Sequence, residues 1–322
     1  MKSGARHIGR FAWRAALFGA AATLMAACST APVIPPPSEL PLSKDAMMLL
    51  GKKGMTTEAP IYVRIFKEES ELEVWKQRDD GRFYHFKTYP ICNWSGELGP
   101  KVKQGDKQAP EGFYTVTAEQ LNPNSSYHLA FNLGFPNAYD KALNRSGDFL
   151  MIHGQCKSAG CYAMTDALIE EIYALGRDAI KAGQKNFQVH AFPYRMTESN
   201  LARHVKSPWY PFWSTLKQGY DHFEATRVPP EVAVCERKYI VNVKLPANRL
   251  DPERQCPELE RPAIDPFIPK PADQQVASER IVMPGQKTRD FASTGGTLSP
   301  SVTGLGATVN IDTLTGLGFQ QR

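Results

Sequence analysis

Between Ile61 and Ile152 the apolar residues come in short runs of strand length, each cut off by residues that turn a chain. Ile61, Val63 and Ile65 alternate with polar or charged neighbours, as do Leu72 and Val74, and a period of two places such side chains on one face of a strand. Asp79, Asp80 and Gly81 turn the chain into a second run from Phe83 to Tyr89, which makes an antiparallel hairpin. Further strands are expected over 112–117, 127–131 and 149–152. The interval 94–110 is punctuated by Gly, Pro and Asn and reads as a surface loop able to line a groove. One strong helix follows: Leu168, Ile169, Ile172, Leu175, Ala179 and Ile180 share a face, with Thr165 or Asp166 as N-cap and Gly183 as the stop. Short strands broken by turns and followed by one good helix predict a β-rich α+β domain with a few packed helices.

The chemistry is expected between the last of these strands and the helix. Phe149 to Ile152 deliver His153 and Gly154, a short polar loop holds Ser158, and Gly160 and Cys161 stand just ahead of Tyr162 and the helix. A thiol attacks as its thiolate, which a nearby imidazole and the positive end of a helix both favour. In this reading Cys161 is the nucleophile, and His153 is the base that removes its proton and the acid that returns it to a leaving amine. Gly160 lets a substrate carbonyl approach the backbone, so that the N–H groups of Cys161 and Tyr162 can meet a developing oxyanion. A cysteine after a glycine is also commonly a small buried hydrophobe, and on residue type alone both readings stand.

The order His153, Gly154, three residues, Ser158, one residue, Gly160, Cys161, then Tyr162 to Asp166 resembles the catalytic signature of the L,D-transpeptidase (YkuD-type) family, in particular its YafK-like branch. The resemblance runs from about Ile61 to Met196. It includes Tyr89 to Cys92 with Trp94 to Lys101, the turn Ala109 to Tyr114, the segment Tyr127 to Tyr139, and His190, Phe192, Pro193, Arg195 and Met196. Ala159 stands where the broader family usually has a second histidine, and His153 lies close to Cys161 in sequence; both features fit the YafK-like branch. The resemblance implies acyl transfer on peptidoglycan stem peptides through a thioester at Cys161, with no metal and no organic cofactor required. It also implies Tyr127, Asn132 and Arg145 as substrate-groove residues, although a surface arginine is the ordinary state of Arg145. Ser158 is read equally as a turn residue and as a hydrogen-bonding group near the site. His128 is the next candidate for the base, and His85, His190, His204 and His222 are read as structural or exposed. Lys101, Lys103 and Lys107 read as solvated surface ahead of carboxylate ligands.

The first 27 residues read as an export signal. Lys2, Arg6, Arg10 and Arg14 precede an alanine-rich apolar run from Ala15 to Ala27, too short for an ordinary membrane span. Met25, Ala26, Ala27 and Cys28 resemble a bacterial lipobox. Lipidation at Cys28 would hold the protein on a membrane through several acyl chains, and Ser29 points by analogy to the outer membrane; simple cleavage near Ala27 is the alternative. The expected location is the periplasm of a Gram-negative bacterium. With the four basic leader residues set aside, the formal net charge of +5 falls to +1. No cluster of Lys and Arg interleaved with aromatics points to nucleic acid.

Of six cysteines, Cys28 and Cys161 are spoken for, leaving Cys92, Cys156, Cys235 and Cys256 for an oxidising compartment. We pair Cys235 with Cys256, which bracket one short segment, and Cys92 with Cys156, which both sit in motifs near the site. A zinc site is the competing reading, and the usual ligand spacing is lacking.

Residues 28–60 read as a proline-rich tether, through Pro32, Pro35, Pro36, Pro37 and Pro41. The catalytic domain is assigned to 61–196. An extension over 197–259 is expected to pack on it, with a helix over 211–224 presenting Phe212, Leu216, Tyr220 and Phe223, and a strand pair within 232–243. Its dense aromatics, Trp209, Tyr210, Phe212 and Trp213, read as core ahead of sugar-stacking surface. From Glu260 onward Pro, Gly, Ser and Thr dominate, Thr-Gly-Leu-Gly occurs at both Thr303 and Thr315, and the tail reads as disordered. Two alternatives accompany the transpeptidase reading. A hydrolase of the same fold would let water resolve the thioester, releasing wall-bound lipoprotein or stem-peptide residues, and a wall-binding lipoprotein would have a silent site.

Overall fold

The computed structural model describes residues 35–246, 250–270 and 280–281; the leader with Cys28 and the Thr-Gly-Leu-Gly repeats lie outside the described residues. Helix α1 (Lys44–Lys52) opens with Ser43, whose hydroxyl accepts from the Ala46 N–H at 3.1 Å. Leu42, Ala46 and Leu50, four residues apart, are buried in the main core with Met55. The stretch expected to be a tether is therefore part of the folded unit from Pro37 onward. The prolines set its composition, while Ala46 and Leu50 on one helical face, with Leu42 just ahead of the helix, set its structure.

Strands β1 (Ile61–Phe66), β2 (Glu71–Gln77) and β3 (Phe83–Pro90) form the expected antiparallel meander. The chain then runs through β4 (Asn93–Trp94), β5 (Gly112–Thr117), β6 (Leu121–Ser125), β7 (His128–Asn132), a short helix α2 (Ala138–Ala142), β8 (Met151–His153) and β9 (Tyr162–Ala163). Helix α3 (Asp166–Lys181) leads to β10 (Asn186–Phe192), α4 (Glu198–Arg203), α5 (Tyr210–Thr226) and the hairpin of β11 (Val232–Cys235) and β12 (Lys238–Val241). One five-stranded sheet has the order β3-β2-β1-β10-β5, with β10 parallel to β1; the other has the order β4-β9-β8-β7-β6, with β9 parallel to β8. The architecture is α+β, as the sequence predicts.

Helix α3 starts as read: the Thr165 hydroxyl accepts from the Leu168 N–H, and Gly183 follows the helix with φ +112°. Its buried face, Ile169, Ile172, Leu175 and Ala179, shares one core with Val63 and Val74 of the first sheet and Phe131 and Ile152 of the second. Phe131 and Phe187 meet edge to face at 5.7 Å, where the two sheets touch.

The alternation in β1 predicts an exposed outer face, yet all six of its residues are buried. Helix α5 covers that face, burying Phe212, Trp213, Leu216 and Phe223. Arg64 lies beneath it, paired with Glu73 at 2.8 Å and Glu224 at 2.6 Å and set over Trp75 and Phe223. A charged outward position thus became internal because its partners are internal too. The Cys235–Cys256 disulfide closes the β11–β12 region, as paired from the sequence. Part of the expected disordered tail also lies on the domain. The Phe267 N–H donates to the Ala225 carbonyl at 2.7 Å and its ring meets Tyr84, while Arg280 pairs with Glu71 and the Ile281 N–H donates to the Thr88 carbonyl of β3.

Candidate active site

The parallel pairing of β8 with β9 sets Ile152 opposite Tyr162 and His153 opposite Ala163. Ile152 and Tyr162 are fully buried in the main core, so the alternating residues Met151, His153 and Cys161 belong to the other face. Cys161 precedes the paired section by one residue and His153 ends it, which makes them diagonal neighbours across the two strands. The Met151 N–H donates to the Cys161 sulfur at 3.5 Å, and the thiol donates to the Phe149 carbonyl at 3.5 Å. Cys161 is the one free cysteine among the described residues.

The loop between base and thiol is held at several points. Gln155 and Cys156 are left-handed, with φ +64° and +51°, and the Cys156 N–H donates to the Met164 carbonyl at 3.1 Å. Cys156 is disulfide-bonded to Cys92, which follows β3, as paired from the sequence. The Ser158 hydroxyl donates to the Cys161 carbonyl at 2.7 Å and accepts from the Gly160 N–H at 3.3 Å; it is both a turn residue and a support for the thiol's own backbone. Gly160 has φ +125°, and a Cβ there would lie 3.2 Å from Leu150 Cδ1. Gly154 is equally confined: its N–H donates to the Tyr127 and Leu129 carbonyls, and a Cβ would lie 2.5 Å from Asp166 Oδ1.

His153 is 3 % exposed and its Nδ1 is 2.6 Å from the Gly154 carbonyl. A carbonyl can only accept, so Nδ1 carries the hydrogen and Nε2 keeps the lone pair a base needs. Burial pushes this imidazole below its usual range, partly offset by that hydrogen bond. Burial pushes the Cys161 thiol up, against the Met151 N–H and the charge of Lys101. Both directions favour the uncharged form of each group. The sequence reading has helix α3 favouring the thiolate; in the structure the thiol's partners are Met151 and Phe149. At the helix start the Asp166 carboxylate accepts from the Gln155 N–H at 2.8 Å.

The other expected residues fall in different places. Tyr127 is 44 % exposed and its ring centroid lies 4.7 Å from that of His153. Asn132 is on β7 opposite Met151, and its side-chain oxygen accepts from the Gly134 N–H at 2.9 Å. Arg145, expected in the groove, is buried instead, paired with the buried Asp140 at 2.9 Å and set over Tyr139 and Phe212. A buried carboxylate needs such a partner, so its guanidinium fixes α2 against α5. His128, the second choice of base, holds Glu170 at 2.6 Å.

Lys101 is also buried, where the sequence reads solvated surface. Its ammonium pairs with Asp106 and donates to the Lys103 carbonyl at 3.1 Å, while Lys103 and Lys107 are exposed. The sequence reading gives Phe149 only as the first residue of the strand over 149–152. This residue is 68 % exposed with φ +53°, a backbone state that costs a bulky residue on the order of 1–3 kcal/mol. Its only sequence signal is its place after Ser146, Gly147 and Asp148, where a turn delivers the strand.

Residues 60–225 match the family model described as the L,D-transpeptidase catalytic domain, YkuD. The Escherichia coli protein named "Putative L,D-transpeptidase YafK" is 44 % identical over 217 residues, which are 67 % of this chain and 85 % of that protein. Among solved structures, the helical cell shape determining protein Pgp2 from Campylobacter jejuni aligns with a TM-score of 0.34 and 18 % identity, over 59 % of this chain and 80 % of that one. The extent of the family match and the likeness to YafK identify this chain as a member of the L,D-transpeptidase catalytic domain (YkuD) family.

Proposed function

We propose that the protein carries out cysteine-dependent acyl transfer on peptidoglycan stem peptides. The observation that carries this reading is the free thiol of Cys161, set between the Met151 N–H and the Phe149 carbonyl on the strand pair that also holds His153. As the sulfur attacks the carbonyl of a diaminopimelate-like residue, His153 Nε2 takes the thiol proton. The C–S bond forms, the backbone around Gly160 to Tyr162 stabilises the oxyanion, and collapse expels the following D-amino acid, whose amine receives the proton from His153. An amine of another stem then attacks the thioester and gives its proton back through His153 to the sulfur. Neutral reactants suit this order, because proton removal and attack occur together and no buried charge has to be kept at rest. The exposed ring of Tyr127 beside His153 supports its part in the substrate groove.

Export by the N-terminal leader and lipidation at Cys28 complete the proposal and place the protein in the periplasm at the outer membrane. The test is mass spectrometry of muropeptides after purified sacculi are incubated with the protein and with its Cys161→Ala variant. New cross-links between third-position residues that depend on Cys161 are expected. Cross-link loss or release of bound protein remnants would assign water as the acceptor and a hydrolase instead, while identical products from both proteins would sink the enzymatic reading.

A further inference from the structure

Among the described residues, the exposed aromatic side chains lie beside the Cys161–His153 pair. Among the described residues the large hydrophobics with an open surface include just two aromatics: Tyr127, whose ring centroid lies 4.7 Å from that of His153, and Phe149, whose backbone carbonyl accepts from the Cys161 thiol. The remaining aromatics near the site, Tyr162, Phe131 and Phe135, are buried. Phe149 is the more exposed of the two and holds a left-handed backbone, φ +53°, which a bulky residue adopts only where its surroundings impose it. That backbone turns its carbonyl to the Cys161 sulfur, while the next residue, Leu150, is buried against Gly160. A glycine or asparagine would suit the backbone better, and an aromatic ring left in solvent gains nothing from folding.

We infer that Phe149 is a substrate-contacting residue, its ring forming the wall against which the methylene chain of the donor diamino acid lies while Cys161 attacks that residue's carbonyl. The inference rests on the acyl-transfer reading of Cys161. The contact is apolar and made by the side chain, while the sulfur meets the backbone carbonyl of the same residue, so losing the ring changes donor selection and leaves that hydrogen bond in place. Tyr127 closes the opposite side, next to the base.

The experiment uses the full protein with a soluble disaccharide–tetrapeptide muropeptide as donor, following turnover for the wild type, Phe149→Ala, Phe149→Gly, Phe149→Tyr and Cys161→Ala. The alkylation rate of Cys161 by iodoacetamide and the thermal midpoint are measured beside it. Losing the ring is expected to lower kcat/KM about tenfold or more, chiefly through KM, in both the Ala and Gly variants. Phe149→Tyr restores it, and alkylation of Cys161 in the three Phe149 variants stays within about threefold of the wild type. The Gly variant keeps the left-handed backbone free of strain, so it carries the test if the Ala variant fails to fold. An unchanged KM in the Gly variant overturns the assignment while leaving the acyl-transfer reading intact. A matching fall in alkylation and turnover overturns it by making Phe149 a positioning residue of the thiol. Turnover by wild type no better than by Cys161→Ala removes the acyl-transfer reading and the assignment with it.

Discussion

The surroundings of Cys161 favour the thiol: they offer one N–H and one carbonyl, and a buried thiolate would leave the Phe149 carbonyl without its donor. With burial raising the thiol, a smaller fraction is ionised at neutral pH than for an exposed cysteine. The rate of alkylation of Cys161 should therefore climb with pH to a midpoint above the ordinary value of about 8.5. Iodoacetamide labelling across pH 6–10, read by intact mass, checks this; a midpoint below that value would mean an imidazolium–thiolate pair already formed at rest. The sequence names Cys161, His153, Gly154, Ser158 and Gly160 through their order and their types, and all five lie together. Arg145 and Lys101 were misjudged from sequence because a charged side chain carries no local sign of its partner: Asp140 and Asp106 are five residues away in each case.

At the scale of elements, the loop 94–110 is anchored from below. The Lys67 ammonium, fully buried, pairs with Glu111 at 2.9 Å and donates to the Glu97, Gly99 and Ala109 carbonyls. Glu111 also accepts from the Trp213 indole N–H at 2.8 Å, and the Tyr162 hydroxyl donates to the Pro110 carbonyl at 2.6 Å. The loop, α5 and the residue after the thiol are thus joined through one buried network, and α5 is a structural part of the site. Helix α1 packs on the domain through Ala46 and Leu50, and its C-cap Lys53 donates to the Phe86 carbonyl at 2.7 Å. Leu50→Ala, at a position 2 % exposed in the main core, should cost about 2–5 kcal/mol, measured by urea unfolding of the folded protein. A change near zero would mean that α1 does not share the domain's cooperative unit and that the proline-rich reading of 28–60 holds.

For the whole molecule, several histidines lie inside. Burial lowers His85 to about 4, puts His153 and His222 below the usual range and puts His190 well below it. Each would bind a proton in the unfolded chain near its ordinary pKa of about 6.5 while staying neutral in the folded one. Stability present above that value is therefore lost as pH falls through it, because the unfolded state gains protons first. The thermal midpoint should drop between pH 7 and pH 5, measured by calorimetry in buffers of equal ionic strength; a constant or rising midpoint would contradict the burial of these rings. The sequence by itself determined the strand rhythm, the caps of α3 and the order of residues that runs from His153 and Gly154 through Ser158 and Gly160 to Cys161. Those features depend on spacing and residue type over a few positions, which the chain carries locally. Tertiary structure decided the rest: that β1 is covered on both faces, that α1 and parts of the tail pack on the domain, that Arg145 and Lys101 turn inward, and that Phe149 stands open beside the thiol. Each is settled by which side chains the fold brings together or by the backbone a packed neighbour imposes, and neither leaves a periodic signal in the residues themselves.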